Sequence, residues 1–483
     1  MISRSALVAR LALCAETLGA TPIPAGASVE FAVGSLSTGL GAPRAETSYL
    51  LLAVLRAVIP QAEEVVVFER RWRLDGAPAV LEALVARVRR EELRRPLSAP
   101  TVQVLGGTIV DVHDTAHTTF TTGIQRVVRS TLAQWAGVHA LTLVAWTAGF
   151  TAPRLLSPTE RVLVDGGAEG VEKTLVVVPW NARYVLPEIA TDERRASRLR
   201  AIALYSGSRA VAVGHDCIPI TSAETAGGGM PGGFARYLSA LAEFDAVAAT
   251  SGSSSAEFSG WRRMLGGAGL RGPEIRIVGL PTADGVAASP DAAAELIAAG
   301  VDPADRLVLA VGSHEPRKNH LALLQAAELA WRDGARFTLV IVGGNSWDAG
   351  GFHRALDAAR ARGRRVITLS SAPDTLVWAL YGRAEFTVFP SLNEGFGLPV
   401  AESISRGVPV ITSDFGSMRE LAEGRGGLLV DPRDDAALAA GIRTLLDDPE
   451  RLDALRAETH SAPRRGWAEY AAELWNAVEG QTA

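Results

Sequence analysis

The chain has 483 residues, 48% of them hydrophobic and 21% charged, with a formal net charge of −5. That length is too great for one ordinary core and predicts two or three domains, while the acidic balance excludes a protein whose main partner is nucleic acid. Two cysteines, Cys14 and Cys217, exclude a disulfide framework and a cysteine-based structural zinc site, and they fit a reducing cytosol.

The N-terminus starts Met1-Ile2-Ser3-Arg4 and then runs apolar, as a signal peptide does. Arg10 and Glu16 interrupt the run, so neither a signal peptide nor a membrane span is expected there, and no other stretch is long and apolar enough to cross a bilayer. Within the first hundred residues one amphipathic helix is legible, over 79–95, with Leu81, Leu84, Val85 and Val88 inward and several arginines outward. The arginine face reads either as solvated surface or as a contact for an acidic membrane surface.

From about Thr101, strands are predicted over 102–112, 141–145, 174–178, 210–213, 246–250 and 274–279, and helices over 123–135, 196–205, 234–244 and 255–265. Such alternation means parallel strands with helical crossovers. A stretch rich in Pro, Ala, Gly and Ser over 281–291 reads as a linker. Near-continuous apolar strands follow over 307–311, 338–342, 366–369, 386–389, 408–412 and 427–430, with helices such as 321–331 and 436–446 between them. The predicted architecture is α/β: an N-terminal extension (1–100), two doubly wound Rossmann-like domains (101–285 and 286–465), and a C-terminal helix (466–483). Two such domains facing each other leave a cleft at the carboxyl ends of their strands.

Two motifs in the second domain carry chemistry. In Val311-Gly312-Ser313-His314-Glu315-Pro316-Arg317-Lys318-Asn319, a strand ends, a turn follows and a helix begins. Amides at a helix start attract anions, and two adjacent cations could neutralise a diphosphate. Of 48 Lys and Arg residues only Lys173 and Lys318 are lysines, so Lys318 stands where a generic cation would have been Arg. The plainer reading, a solvent-facing charge pair, has to oppose the helix macrodipole.

The second motif is Glu394-Gly395-Phe396-Gly397-Leu398-Pro399-Val400-Ala401-Glu402. Gly395 and Gly397 let the backbone approach a ligand, Pro399 suits a first helical turn, and Gly407 with Pro409 closes the helix. Glu402 lies early on that helix and leans toward its N-terminus, where its two oxygens match the adjacent hydroxyls of a ribose. Arg317 and Lys318 are expected to face Glu394 and Glu402.

On these motifs, together with Gly407-Val408-Pro409-Val410-Ile411 and the Asp414 and Gly416 loop, residues 307 to about 460 resemble the donor-binding domain of retaining glycosyltransferases of the GT-B fold, family 4. The resemblance implies that Arg317 and Lys318 bind the diphosphate, aided by Gly312 and Ser313. It also implies that Glu402 binds the ribose, that Glu394 with the amides of Gly395, Phe396, Gly397 and Leu398 contacts donor sugar and phosphate, and that 368–371, including Leu369 and Ser370, lie near the base. In the first domain, Thr122-Gly123-Ile124-Gln125-Arg126 resembles the glycine-rich loop that closes on donor and acceptor. His215-Asp216 resembles the pair lining the acceptor side. A capped helix start and a strand-end turn are the plainer readings of these two segments. The segment from Trp467 to about 478 resembles a helix that crosses back onto the first domain.

The implied activity is transfer of a hexose, mannose being a family-level expectation, from a nucleotide diphosphate sugar to a hydroxyl of a glycan or lipid-linked acceptor. His215, Asp216, Arg317, Lys318 and Glu394 are the candidate catalytic residues. No metal or other cofactor is expected, since family members generally need none and the chain has no Asp-x-Asp triplet. Arg317, Lys318 and helix-start amides would then meet the departing diphosphate's charge. By analogy the setting would be cytoplasmic, peripheral to the inner membrane face, in polysaccharide or glycolipid assembly. Two other classes share this pattern. A sugar-nucleotide epimerase would alter the donor with no acceptor, and a non-catalytic binding protein would hold the nucleotide sugar without releasing nucleotide.

Overall fold

The computed structural model describes residues 3–92, 100–119, 122–167, 170, 174–282, 291–344 and 346–481. Lys173 and most of the 281–291 linker lie outside them. The first sheet contains β1 (Thr101–Asp111), β2 (Leu141–Trp146), β3 (Pro153–Leu155), β4 (Leu175–Leu186), β5 (Arg209–Gly214), β6 (Ala246–Ala249) and β7 (Glu274–Ile277). β1 runs parallel between β2 and β4, and β4 through β7 continue in parallel. Two features depart from the sequence reading. β3 is a three-residue strand, too short to show alternation, that pairs antiparallel with both β2 and β4. β4 runs on past 178 to Leu186 through a bulge of its own, where Trp180 and Asn181 (φ 47°) stand opposite the single residue Gly106 of β1 and the pairing resumes at Ala182.

The second sheet has β8 (Leu307–Val311), β9 (Thr338–Val342), β10 (Val366–Leu369), β11 (Phe386–Phe389), β12 (Val410–Ser413) and β13 (Gly427–Val430) in the order β10-β9-β8-β11-β12-β13, all parallel. The chain leaves β8 toward β9 on one side and later returns with β11 on the other. Strand order therefore reverses between β8 and β11, and the loops after them diverge to open a crevice.

Among the described residues, four helices precede β1: α1 (Arg4–Thr17), α2 (Val29–Gly39), α3 (Ala45–Arg56) and α4 (Ala62–Glu92). The helix expected over 79–95 is the second half of α4, after a break at Gly76 (φ 81°) and Pro78, and its end at 93–95 lies outside the described residues. Leu81, Leu84, Val85 and Val88 are buried as their spacing predicts. α3 is buried on every side from Ser48 to Arg56, so it shows no amphipathic period. These helices share one core with the first sheet, where Leu11, Leu36 and Leu81 pack with Val176, Tyr184 and Leu199. Arg10 is buried there, donating to Leu55 O at 2.8 Å and Pro100 O at 2.9 Å.

The first sheet carries α5 (His113–Ala116), α6 (Gly123–Trp135), α7 (Pro158–Asp165), α8 (Glu193–Tyr205), α9 (Ile218–Thr221), α10 (Met230–Leu241) and α11 (Gly252–Gly267). The second carries α12 (Ala292–Ala298), α13 (His320–Arg332), α14 (Gly350–Ala361), α15 (Asp374–Arg383), α16 (Leu398–Ser405), α17 (Gly416–Ala422), α18 (Asp435–Asp447) and α19 (Pro449–Ser461). The last helix, α20 (Trp467–Glu479), lies against α6, where Trp135 Nε1 donates to Ala471 O at 3.0 Å and Trp475 meets the Trp135 ring edge-on. One hydrophobic cluster joins all of this: Val127, Trp135 and Val213 from the first half, Phe389, Phe396 and Val400 from the second, Tyr470 and Leu474 from α20. Both cysteines are free and buried. Among the described residues, no helix is long and apolar enough to cross a membrane.

Trp135→Ala removes a buried indole from the contact that holds α20 down. It should cost about 3 kcal/mol or more, seen as a lower thermal unfolding midpoint and faster proteolytic cleavage near α20. An unchanged midpoint would contradict this packing.

Candidate active site

The site grows out of the two loops at the switch point. After β8, Pro316–Lys318 forms a single 3-10 turn. Asn319 ends it in the left-handed region (φ 56°), donating its side-chain amide to Pro432 O at 2.7 Å, and α13 starts at His320. Arg317 and Lys318 therefore stand just ahead of α13 rather than inside its first turn. The loop after β11 is tied to this turn, with Leu392 N donating to Arg317 O at 2.8 Å and Ser391 Oγ lying 3.0 Å from the same oxygen.

That tie places the Glu394 carboxylate between the two cations. Lys318 Nζ lies 2.6 Å from Oε1 and an Arg317 guanidinium nitrogen 2.6 Å from Oε2, while Ser391 Oγ donates to Oε1 at 2.6 Å. Arg317 also pairs with Glu315 at 2.6 Å and donates to Asn393 O at 2.9 Å. Lys318 Nζ sits 5.0 Å from the centre of the Phe389 ring. Burial opposes the charge on Glu394, but Arg317 and Lys318 outweigh it and hold the carboxyl at about 2.

Glu402 does not join this cluster, a correction to the expected arrangement. Gly397 (φ 95°) turns the chain into α16, and Glu402 on that helix meets Arg126 from α6 instead. Its other oxygen accepts from Tyr381 OH at 2.8 Å. Arg126 reaches it because α6 starts at Gly123, where Leu398 packs so closely that an added Cβ would stand 3.3 Å from its Cδ1. Burial raises the Glu402 pKa, against the lowering by Arg126 and Tyr381. A small, partly open pocket adjoins the pair, lined by Arg126, Leu398, Glu402 and Trp467 among others.

His215 and Asp216 follow β5 and face the Glu394 loop. The imidazole Nε2 donates to Pro187 O at 2.8 Å, and burial lowers its pKa, so the ring is neutral with Nδ1 as its acceptor. Burial raises Asp216 to about 6, against the lowering by Arg317 and with Glu257 and Glu394 adding to the rise. The approach of the two loops is set by Gly395, where a Cβ has no room against the His215 carbonyl. Ser251 and Ser254 donate their hydroxyls to Gly395 O at 2.6 and 2.8 Å, and Ser254 Oγ also lies 2.6 Å from His215 O. Glu420 accepts from the Gly252 and Ser253 amides at the start of α11, at 3.0 and 3.1 Å.

The structure thus forms two groups on the loop and helix after β11: His215 and Asp216 against Gly395 beside Arg317, Lys318 and Glu394, and Gly123 and Arg126 against Leu398 and Glu402, with Ile124 half-buried beside Gly123. Phe396 is buried and Leu398 half-buried at the start of α16, next to Gly397. Gly312 donates its amide to Val342 O, and Ser313 follows it into the β8 loop. Leu369 ends β10 and accepts from Gly343 N at 2.9 Å, with Ser370 beside it. Those two stand two strand spacings from β8, roughly 9.5 Å. Sequence reasoning misses Tyr381, which meets Glu402 from the neighbouring helix α15, and Ser251, Ser254 and Glu420, which acquire their roles only when the two halves dock.

Because the Glu394 pKa is lowered from 4.5 to about 2, its contribution to stability is fully present above 4.5 and is lost as pH falls through 2. Glu394→Gln should flatten the acid-unfolding profile in that window. It should also lower stability at neutral pH by about 3 kcal/mol, since two buried cations lose their partner. An unchanged profile would contradict the pairing.

Residues 295–461 match the glycosyl transferases group 1 family. The chain is 30% identical over 334 residues to a serotype-specific mannosyltransferase WbdA of Escherichia coli, an alignment covering 65% of this chain and 40% of that protein. It is 38% identical over 186 residues to a D-inositol 3-phosphate glycosyltransferase of Thermobispora bispora, covering 36% of this chain and 42% of the relative. The chain thus spans less than half the length of these relatives. Among solved structures, Anabaena Alr3699/HepE in complex with UDP and glucose aligns with a TM-score of 0.56 at 16% identity, covering 78% of this chain and 100% of that one. At that identity the likeness is one of fold, the GT-B arrangement of two doubly wound domains.

Proposed function

Taking residues 295–461 as a member of the glycosyl transferases group 1 family, we propose that the chain transfers a hexose from a nucleotide diphosphate sugar to a hydroxyl of a glycan or lipid-linked acceptor, with retention at the anomeric carbon as in family 4. The observation that carries the reading is the Arg317–Glu394–Lys318 cluster at the switch point of the second sheet. Mannose is the favoured hexose, since mannosyltransferases are among the relatives that cover most of this chain. The serotype-specific relatives favour a role in assembling a surface polysaccharide, on the cytoplasmic side of the membrane.

In this reading the bond from the anomeric carbon to the diphosphate oxygen breaks as a bond to the acceptor oxygen forms on the same face of the sugar. The nucleoside diphosphate leaves, and the acceptor's hydroxyl proton passes to one of its oxygens. Arg317 and Lys318, fixed by Glu394, meet the charge that develops on the leaving group; such stabilisation is effective because the donors are preorganised. Glu402 takes the ribose hydroxyls, with Arg126 yielding or sharing the carboxylate. Asp216, next to Arg317 and titrating near 6, and His215 orient the acceptor hydroxyl. The leaving diphosphate is met by these cations and by the amides ahead of α16, with no metal invoked.

Lys318→Ala and Glu402→Ala should each reduce sugar transfer by about 100-fold or more, with the fold checked by circular dichroism and the product by NMR. Full activity in either variant would overturn the assignment. An altered donor sugar formed without acceptor would instead indicate an epimerase.

A further inference from the structure

Beyond the cleft centre, one group of side chains at the same edge of the first sheet has no part in the proposed transfer step. The carboxyl ends of β2, β1, β4 and β5 lie side by side. His215 and Asp216 follow β5, Glu188 follows β4, His113 follows β1, and the turn containing Phe150 follows β2. From β5 to β1 is two strand spacings, roughly 9.5 Å, a reach suited to a short oligosaccharide running outward from the transfer point.

Phe150 is held there at a conformational cost. It sits in the left-handed region (φ 55°), which a bulky residue adopts at a cost of about 1 kcal/mol or more and which tends to persist where function requires it. The turn is closed by Phe150 N on Thr147 O at 2.9 Å and Thr147 N on Ala152 O at 2.9 Å. It is braced from the N-terminal helices, where Ile59 N donates to Thr151 O at 2.9 Å and Arg198 Nε to Ile59 O at 3.1 Å. The strained ring meets His113 edge-on, with centroids 5.0 Å apart, and His113 lies 4.3 Å from His117. Arg194 reaches over Phe150 at 5.6 Å.

The support below is buried and polar. Arg195, 2% exposed, pairs with the fully buried Asp111 and with Asp114, each at 2.9 Å. Trp146 Nε1 and Tyr184 OH both donate to Asp111, at 2.7 and 2.8 Å. Glu188 accepts from the Asp114 and Thr115 amides at 2.7 Å each, which fixes α5. Trp146 N donates to His113 Nδ1 at 3.2 Å, so the ring's proton sits on Nε2. This network orients His113 and Asp114 while the Asp114, His117 and Arg194 side chains remain 46%, 46% and 58% exposed.

We propose that Phe150, His113, His117, Asp114 and Arg194 form a subsite for an outlying sugar unit of a glycan acceptor. A pyranose ring offers an apolar C–H face and a rim of hydroxyls, which match the aromatic rings and the mixed carboxylate and guanidinium rim. A purely anionic headgroup would meet Asp114 as a repulsive neighbour. The assignment rests on the transferase reading and gives the N-terminal helices a task, bracing the turn that presents Phe150.

The test is retention of the full chain on an array of α- and β-linked oligosaccharides, compared with Arg194→Ala and Phe150→Gly. Wild type should retain at least one oligosaccharide class. Arg194→Ala, at an exposed position, should keep the wild-type unfolding midpoint and lose retention. Phe150→Gly relieves the left-handed strain and should lose retention by about tenfold, the size of one stacked aromatic contact. Wild-type retention in both variants, or no retention of any oligosaccharide by wild type, would overturn the subsite. Thermal stabilisation by GDP- and UDP-hexoses reports on the donor reading separately. Its absence in wild type would count against the transferase proposal rather than this one.

Discussion

Everything at the cleft depends on one buried carboxylate. Glu394 lies between Arg317 and Lys318 at 2.6 Å from each, and without it two cations would be drawn out of water with Glu315 as the remaining direct ion pair and Asp216 nearby. Buried cations are tolerated when they are paired and hydrogen-bonded, and breaking one such pair is costly because the survivor is left uncompensated. The arrangement exists because strand order reverses between β8 and β11. The loops after these two strands are neighbours in space although 76 residues separate Lys318 from Glu394. A site so charged and already organised can receive an anion without first gathering its ligands.

The second dependence is the closeness of the two halves. Gly395 admits the His215 carbonyl where any side chain would collide, and two serine hydroxyls from the first half converge on the Gly395 carbonyl. Glu420 seats itself on the start of α11, Trp347 Nε1 donates to Thr225 O at 3.1 Å, and Arg126 joins Glu402 across the same cleft. The apolar cluster beneath, shared by β11, α16, α6 and α20, supplies the non-directional part of the attraction. Donor-side and acceptor-side residues are therefore coupled through backbone contacts, and a shift of either loop displaces both.

The strands of the second sheet were legible because buried parallel strands are continuous apolar runs, and Thr338–Val342 is buried at every position. The grip of Arg317 and Lys318 on Glu394 was legible too, through lysine scarcity and the glycine-bearing loop. The partner of Glu402 was not: Arg126 lies 276 residues away, and only the docked halves bring the two together. α3 escaped notice because a helix buried on every side loses the period that marks an amphipathic surface, whereas α1 and α2 each bury one face and apolar residues elsewhere on them, such as the exposed Phe31, dilute the contrast. The polar support around Arg195 escaped for a different reason. Its members come from β1, β2, β4, the segment after β4, α5 and α8, and no spacing along the chain joins them.

The central claim is that Arg317 and Lys318 meet the second phosphate of a nucleotide carrier. Calorimetric titration of the intact chain with a nucleoside diphosphate and the monophosphate of the same base tests it most directly. The account predicts that the diphosphate binds at least about tenfold more tightly, one charge-assisted contact's worth, for the base the site prefers. Equal affinity for the two would contradict it.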